Sequence, residues 1–293
     1  MGKASRTKQD VHRRERISAQ RAAERRAQVR NRVLLASGAV VVVIAVVVAL
    51  IVVKAGSNTA EPSGNGPTGA ALASVVSDTT SVPASTLDAV GAGSATAKPT
   101  PVSGPPLTSG GKPEVLYIGA EYCPYCAFER WGMIVALSRF GTFSGLHTVH
   151  SSSTDVFPNT PTFTFYGSTY TSRYLTFTPV EETTNIPQGN SYTPLQKPTS
   201  QQQALMAKYD SGLSIPFVDI GNKHTIIGAS ANPQVLAGKS WAQIAASLKN
   251  ASSPVAQAVD GTANYITAAI CKLTNNQPAN ACTPAVRTLQ SKM

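Results

Sequence analysis

The chain has 293 residues, 42% of them hydrophobic and 14% charged, and a formal net charge of +10 at pH 7. The length allows one or two domains. Within residues 1–32, eleven lysines and arginines stand against three acids, so +8 of the net charge belongs to this tail. The remainder is close to neutral, which argues against a basic nucleic-acid-binding domain in the rest of the chain.

Residues 33–53 are apolar except for Ser37 and Gly38, and Lys54 ends the run. A helix of this length spans about 30 Å, the thickness of the hydrocarbon core of a bilayer. A basic tail directly before such a run is the positive-inside signal, so we expect a single transmembrane signal anchor with residues 1–32 in the cytoplasm. The sequence does not decide whether the chain is cleaved after the anchor. The alternative is that the tail binds nucleic acid or a protein at the inner face.

Residues 54–112 are rich in Gly, Ala, Ser, Thr and Pro and contain few large apolar side chains. Such a composition predicts a disordered linker, because too little surface can be buried to offset the loss of conformational entropy. A flexible chain of this length has an end-to-end distance of about 40 Å. It would let a folded domain over residues 113–293 stand away from the membrane.

The motif Tyr122-Cys123-Pro124-Tyr125-Cys126 lies between a predicted strand, Glu114–Gly119, and a predicted helix, Cys123–Phe140. A Cys-x-x-Cys at such a junction is typical of a dithiol/disulfide redox centre. The first turn of a helix carries unpaired N–H groups and the positive end of the dipole, which lower the pKa of a thiol there. Two alternatives remain: half of a zinc site and an inert structural disulfide.

The segment after this helix alternates strand and helix signals. Further strands are expected at Leu146–Ser151, Ile215–Ile220 and Thr225–Gly228, and a hairpin from Thr162–Tyr166 and Tyr170–Thr178. Capping-box patterns predict helices at Ser200–Gln203 and Ser240–Gln243, and Pro254 begins a last helix that reaches Cys271, with a break expected near Gly261. The histidines show no metal-ligand spacing, so no metal site is predicted.

Cys271 and Cys282 are separated by a polar turn. Bonded to each other they would close a short loop, and such a structural disulfide stabilises a fold by about 3 kcal/mol through loop entropy. The alternative is a relay pair that passes electrons to or from Cys123 and Cys126.

The order of strand, Cys-x-x-Cys helix, strand, insertion, helix, Pro-led strand, strand and helix resembles the thioredoxin fold. The residues that carry the resemblance are Tyr122–Cys126 and Ile215–Val218. The string Gly119–Cys126, followed by Phe128–Trp131, is also similar to an uncharacterised group of membrane-anchored thioredoxin-like proteins, a domain of unknown function. The resemblance implies an α/β, thioredoxin-like domain over residues 113–293, with a central mixed sheet flanked by helices, a β-rich insertion and a preceding transmembrane helix.

The resemblance also implies roles for individual residues. Cys123 would be the nucleophile and Cys126 the resolving thiol. Pro216 would follow a cis peptide bond, and Ile215 would offer its backbone to an extended substrate.

Tyr122 and Tyr125 are expected at the rim of the site, as substrate contacts or as ordinary surface aromatics. The strand Val115–Ile118 lacks the buried acid that thioredoxins carry there, and Glu121 is expected to be more exposed. Proton transfer at Cys126 is therefore expected to differ.

These features predict a membrane-anchored, extracytoplasmic thiol–disulfide oxidoreductase that acts on disulfides of exported proteins. No cofactor beyond the cysteines and no nucleic-acid partner is implied. The expected redox partner is a quinone-linked membrane oxidase, such as a vitamin K epoxide reductase-like protein, or a membrane electron donor. The Pro-Tyr dipeptide does not decide between oxidase, reductase and isomerase. The alternative function is a non-catalytic thioredoxin-like surface binding module with structural disulfides.

Overall fold

The computed structural model describes residues 66–293. The predicted tail, residues 1–32, and the predicted transmembrane segment, residues 33–53, lie outside the described residues. Among the residues that the structure describes, no helix is both long and apolar enough to cross a membrane.

Helices and strands alternate along the described part of the chain. The helices are α1 (Gly69–Thr80), α2 (Ala84–Val90), α3 (Pro124–Ser138), α4 (Ser200–Tyr209), α5 (Trp241–Ser247), α6 (Pro254–Leu273) and α7 (Pro284–Gln290). The strands are β1 (Thr100–Pro101), β2 (Thr108–Ser109), β3 (Lys112–Gly119), β4 (Gly141–Ser144), β5 (His147–His150), β6 (Pro161–Thr164), β7 (Thr169–Ser172), β8 (Thr176–Glu181), β9 (Thr183–Gln188), β10 (Ser191–Pro194), β11 (Phe217–Ile220) and β12 (His224–Ile227).

A central mixed sheet has the strand order β1-β12-β11-β3-β2, and β8 also pairs with β3. Strand β3 is antiparallel to β11 and parallel to β8. Its residues from Val115 to Gly119 are all buried, as expected for a strand covered on both faces. Successive side chains of the strand point to opposite faces of the sheet. Val115 and Tyr117 therefore belong to one apolar cluster, and Leu116 and Ile118 belong to another. The prediction of a mixed α/β fold is confirmed at this level.

Helices α3 and α6 pack together on the face of β3 that carries Tyr117. Their close approach depends on Gly132, because a Cβ there would lie 2.7 Å from Thr262 Cγ2. The break predicted near Gly261 is wrong, since α6 runs without interruption from Pro254 to Leu273. A Cβ at Gly261 would lie 2.5 Å from the carbonyl oxygen of Ala92, so this glycine makes room for a neighbouring loop instead of ending the helix.

The prediction of a disordered linker over residues 54–112 is wrong from Gly69 onward. Helices α1 and α2 form there, and Val75 and Leu87 are buried in the same core as α3 and α6. The Asn264 amide of α6 donates 2.7 and 2.8 Å hydrogen bonds to the carbonyls of Leu87 and Gly91. A few well-placed apolar residues suffice because α6 supplies the rest of the core. The folded domain therefore begins before the predicted boundary at residue 113.

The hairpin predicted over residues 162–178 is also wrong. Strand β6 pairs with β5, β7 pairs with β4, and β8 joins the central sheet beside β3. Strand β5, which matches the predicted strand Leu146–Ser151, therefore does not lie next to β3. The capping box of α4 uses Thr199 and Gln202, one residue before the predicted pair, whereas the box of α5 at Ser240 and Gln243 is confirmed.

Candidate functional site

Cys123 is the N-cap residue of α3, and Pro124 occupies the first turn. Proline is favourable there because the backbone N–H that it lacks would have no partner within the helix. The backbone N–H of Cys126 donates to Cys123 Sγ at 3.4 Å. Both cysteines are free thiols in the structure; Cys123 is 5% exposed and Cys126 is fully buried. The strand-to-helix junction thus aims unpaired helix N–H groups at one sulfur and covers the other.

The two thiols differ in acidity. The pKa of Cys123 is lowered, first by the hydrogen bond from the Cys126 side chain and then by backbone N–H groups and the charge of Arg130, against the effect of burial. Burial raises the pKa of Cys126 well above its ordinary value, and the hydrogen bond to Cys123 adds to this. Of the two thiols in the reduced pair, Cys123 is therefore the one that ionises first. Because the thiolate is the nucleophile, the arrangement favours attack by Cys123.

The loop before β11 lies against the reactive sulfur. The Ile215–Pro216 peptide bond is cis, and the Ile215 carbonyl oxygen is 3.9 Å from Cys123 Sγ. The carbonyl of Pro216 accepts a 2.8 Å hydrogen bond from the N–H of Gly228, which ties the loop to the end of β12. The fold thus brings the predicted residues Cys123, Ile215 and Pro216 together.

Aromatic side chains surround the opening of the site. The Tyr122 ring stacks on Tyr192 with centroids 4.2 Å apart, and Tyr125, 40% exposed, meets Phe157 edge to face at 5.8 Å. The Tyr192 hydroxyl donates to Ser152 Oγ at 2.7 Å. Both Tyr192 and Phe157 come from the predicted insertion, residues 154–199, whose packing no sequence periodicity indicated. The insertion therefore supplies half of the rim.

Below the cysteines lies a buried ion pair. Arg130 on α3 donates from Nε and Nη2 to the two carboxylate oxygens of Glu181, each at 2.8 Å, and Nη2 also donates to the Ala120 carbonyl at 2.6 Å. The sequence pattern did not reveal this pair; the available signal was two charged residues, Glu129 and Arg130, between Phe128 and Trp131 on a helix whose apolar side chains are buried.

Glu121, expected to be exposed, is only 6% exposed, and burial raises its pKa. The residue sits in the loop between β3 and α3, and its backbone N–H donates to the Thr183 carbonyl at 2.9 Å. Glu114, at the other end of the strand, is partly buried and binds Thr178 through its carboxylate. The site floor is therefore more enclosed than the sequence suggested.

Cys271 and Cys282 are bonded to each other, with Cα atoms 5.8 Å apart, and both are fully buried. Because these two sulfurs are bonded to each other, they cannot serve as zinc ligands together with Cys123 and Cys126. Within residues 66–293 no group of three or more His, Cys, Asp or Glu side chains could hold a metal ion. The disulfide joins the end of α6 to the turn before α7.

Fold and site together define a mixed α/β domain with a pair of buried, chemically distinct thiols at a helix N-terminus. A family model described as Domain of unknown function (DUF929) matches residues 98–272. The chain belongs to this family. No curated protein and no solved structure matches the chain.

Proposed function

We propose that this protein is a membrane-anchored, extracytoplasmic thiol–disulfide oxidoreductase with a thioredoxin-like domain. The observation that carries the proposal is the position of Cys123 as N-cap of α3, with its sulfur accepting the N–H of Cys126 at 3.4 Å. This environment lowers the pKa of Cys123. Thiol–disulfide exchange requires a thiolate of this kind next to a second thiol that can resolve the mixed disulfide.

The element order supports the thioredoxin-like assignment. Strand β3 leads into the Cys-x-x-Cys helix α3, and the parallel strand β8, helix α4, Pro216, the antiparallel pair β11 and β12, and helix α6 follow. Strands β4 to β7 lie between α3 and β8, and strands β9 and β10 lie between β8 and α4. This order agrees with the one that the sequence suggested, apart from the identity of the strand beside β3.

The reaction follows from the two sulfurs. The Cys123 thiolate attacks one sulfur of a substrate disulfide, a mixed disulfide forms, and the other substrate sulfur leaves as a thiolate. Cys126 then attacks Cys123 Sγ, the Cys123–Cys126 disulfide forms, and the second substrate sulfur leaves. Two electrons pass from the cysteine pair to the substrate; the reverse sequence oxidises a substrate dithiol.

The substrates would be exported proteins with cysteines, because the basic tail and apolar segment at residues 1–53 favour an anchor that leaves the domain outside the cytoplasm. Turnover needs a membrane partner: a quinone-linked disulfide oxidase for the oxidative direction, or a membrane electron donor for the reductive one. The cysteines themselves carry the electrons, so no further cofactor is required.

A trapping experiment on the full chain tests the proposal. In a Cys126→Ser variant the resolving thiol is lost, so mixed disulfides between Cys123 and exported proteins should accumulate and disappear on reduction. The double variant Cys123→Ser, Cys126→Ser is the control and should trap nothing. Absence of adducts, together with a wild-type pair that stays oxidised and unreactive, would instead indicate the non-catalytic binding module.

A further inference from the structure

We infer that the Tyr117 hydroxyl, backed by the Arg130–Glu181 ion pair, stabilises the thiolate of Cys126 and so controls the step that resolves the mixed disulfide. The inference rests on the proposed function and concerns its second step. Resolution is the difficult half of the reaction at this site, because burial keeps the proton on Cys126. Something in the fold must compensate for that burial when Cys126 attacks.

The Tyr117 hydroxyl occupies the position needed for this task. Tyr117 is fully buried in β3, and its hydroxyl lies near Gly119 and Cys126. A Cβ added at Gly119 would lie 2.1 Å from Tyr117 Oη and 3.0 Å from Cys126 Sγ. The Tyr117 hydroxyl thus occupies the space that a side chain at position 119 would fill, next to Cys126 Sγ, and a glycine is needed there.

Among the described residues the Tyr117 hydroxyl makes no hydrogen bond of ordinary geometry, although the Cys126 side chain lies beside it. A neutral thiol is a weak acceptor, whereas a thiolate is a strong one. A buried O–H without a partner costs free energy, and that cost disappears when charge develops on Cys126. The donor is therefore satisfied only in the state that reacts, which is how preorganised donors favour a reaction step.

Arg130 supplies the second part of the device. Its guanidinium lies 5.9 Å from the centroid of the Tyr117 ring, and its positive charge lowers the pKa of Cys126 against the effect of burial. Glu181 holds Nε and Nη2, while the buried Nη1 has no partner among the described residues. Glu181 fixes the orientation of the guanidinium and partly offsets its charge. Arg130 and Glu181 are therefore positioning residues that influence Cys126 without reacting themselves.

Among the described residues, the charged and titratable groups that interact with Cys126 are Cys123, Tyr117, Tyr122 and Arg130. Glu181 pairs with Arg130 and interacts with Tyr117. In the resolving step Cys126 loses its proton and its sulfur attacks Cys123 Sγ. The bond between Cys123 and the substrate sulfur breaks, and the proton ends on the leaving thiol or in solvent. Tyr117 keeps its own proton throughout and donates a hydrogen bond to the developing charge.

The test uses the full chain, reduced and mixed with the aromatic disulfide dithiobis(nitrobenzoate). Attack by Cys123 releases one thionitrobenzoate, and resolution by Cys126 releases a second. In Tyr117→Phe we expect an unchanged first release and a second release slowed by about tenfold or more, with its pH profile moved to higher pH. The matched control is Tyr170→Phe, which loses the hydroxyl of a partly buried tyrosine that donates to the Leu137 carbonyl away from the cysteines.

The outcomes separate the two proposals. If Cys123 releases no thionitrobenzoate in the wild type, the proposed function fails. If the first release is normal and the second is equally fast in Tyr117→Phe and Tyr170→Phe, the inference about Tyr117 is overturned while the proposed function stands. Should Tyr117→Phe not fold, fluorotyrosine at position 117 keeps the ring and strengthens the donor; it should speed the second release, and an unchanged rate would overturn the inference.

Discussion

Arg130 and Glu181 are joined by two hydrogen bonds of 2.8 Å at a place where neither side chain is reached by solvent. The pair links α3 to the end of β8, and Glu181 also accepts the backbone N–H of Phe165 at 3.2 Å. Removing one partner would leave an uncompensated charge in the core, which is far more costly than the loss of a surface pair.

We therefore expect Arg130→Met to lower the free energy of unfolding by about 3–5 kcal/mol. The matched control is Lys249→Met, because Lys249 pairs with Asp78 at the surface, with side-chain exposures of 44% and 33%. That change should cost less than about 1 kcal/mol. Urea unfolding of both variants measures the difference; similar small losses in the two would contradict the argument.

Asp260 makes stability depend on pH. It is fully buried, its two carboxylate oxygens have no partner among the described residues, and burial raises its pKa to about 8. The unfolded chain loses this proton near the ordinary value of 3.8, whereas the folded protein holds it until about pH 8. Stability contributed by the protonated form is thus present at low pH and is lost as pH rises through this window.

Asp260→Asn should remove that loss. We expect the variant to be more stable than the wild type at pH 8, with a difference that shrinks toward pH 4, at about 1.4 kcal/mol per pH unit as an upper bound. Asp78→Asn, at the surface, is the control. Glu129, whose pKa burial raises to about 7, adds to the pH dependence of the wild type in the same direction. A stability difference that does not change with pH would refute the assignment.

Helix α2 is expected to be part of the folded domain and not a spacer. Leu87 is 1% exposed in the core, so Leu87→Ala should lower the free energy of unfolding by about 2–5 kcal/mol. Ser85→Ala, on the exposed side of the same helix, should change it by less than about 0.5 kcal/mol. Equal, small effects in thermal or urea unfolding would restore the prediction of a disordered linker.

The sequence identified the centre of the site better than its surroundings. An apolar run before Cys-x-x-Cys sufficed to place β3 and α3, and Pro216 marked the start of β11. These are local signals, carried by residues that are neighbours along the chain. Strand pairing is not local: the alternation at residues 162–178 indicated strands but could not reveal that β8 would pair with β3.

The residues that sequence analysis missed share one property. Arg130 depends on Glu181, 51 residues away, and Tyr122 stacks on Tyr192 from the insertion. A buried charge is tolerated only once its partner is in place, so the pattern around Arg130 could indicate a buried charge but could not identify Glu181 as its partner. Likewise Leu87, in a segment rich in small residues, becomes a core residue only because α6 covers it.

The Cys271–Cys282 bond should stabilise the protein without taking part in exchange. Replacing both residues by Ser should lower the free energy of unfolding by about 2–5 kcal/mol, since the bond closes a loop with a sequence separation of 11. The rate of thionitrobenzoate release by Cys123 should stay unchanged, because both sulfurs are buried. A slower release in the folded variant would instead favour the electron relay.

The acidity of Cys123 should be visible in its alkylation by iodoacetamide. The rate should reach half its maximum at a lower pH than that of an ordinary cysteine, because hydrogen bonds from Cys126 lower the pKa of Cys123. Cys126, fully buried, should react only after unfolding. Mass spectrometry of the modified peptides assigns each site; faster labelling of Cys126 would contradict the assignment of the nucleophile.

The central claim is that Cys123 and Cys126 form a reversible redox centre, and the most direct test is their reduction potential. The full chain would be equilibrated in thiol buffers of graded potential, and free thiols trapped by alkylation. We predict a two-electron transition with a midpoint between about −270 and −120 mV, the range of known exchange proteins. A pair that stays oxidised across all these buffers, or never forms a disulfide, would contradict the account.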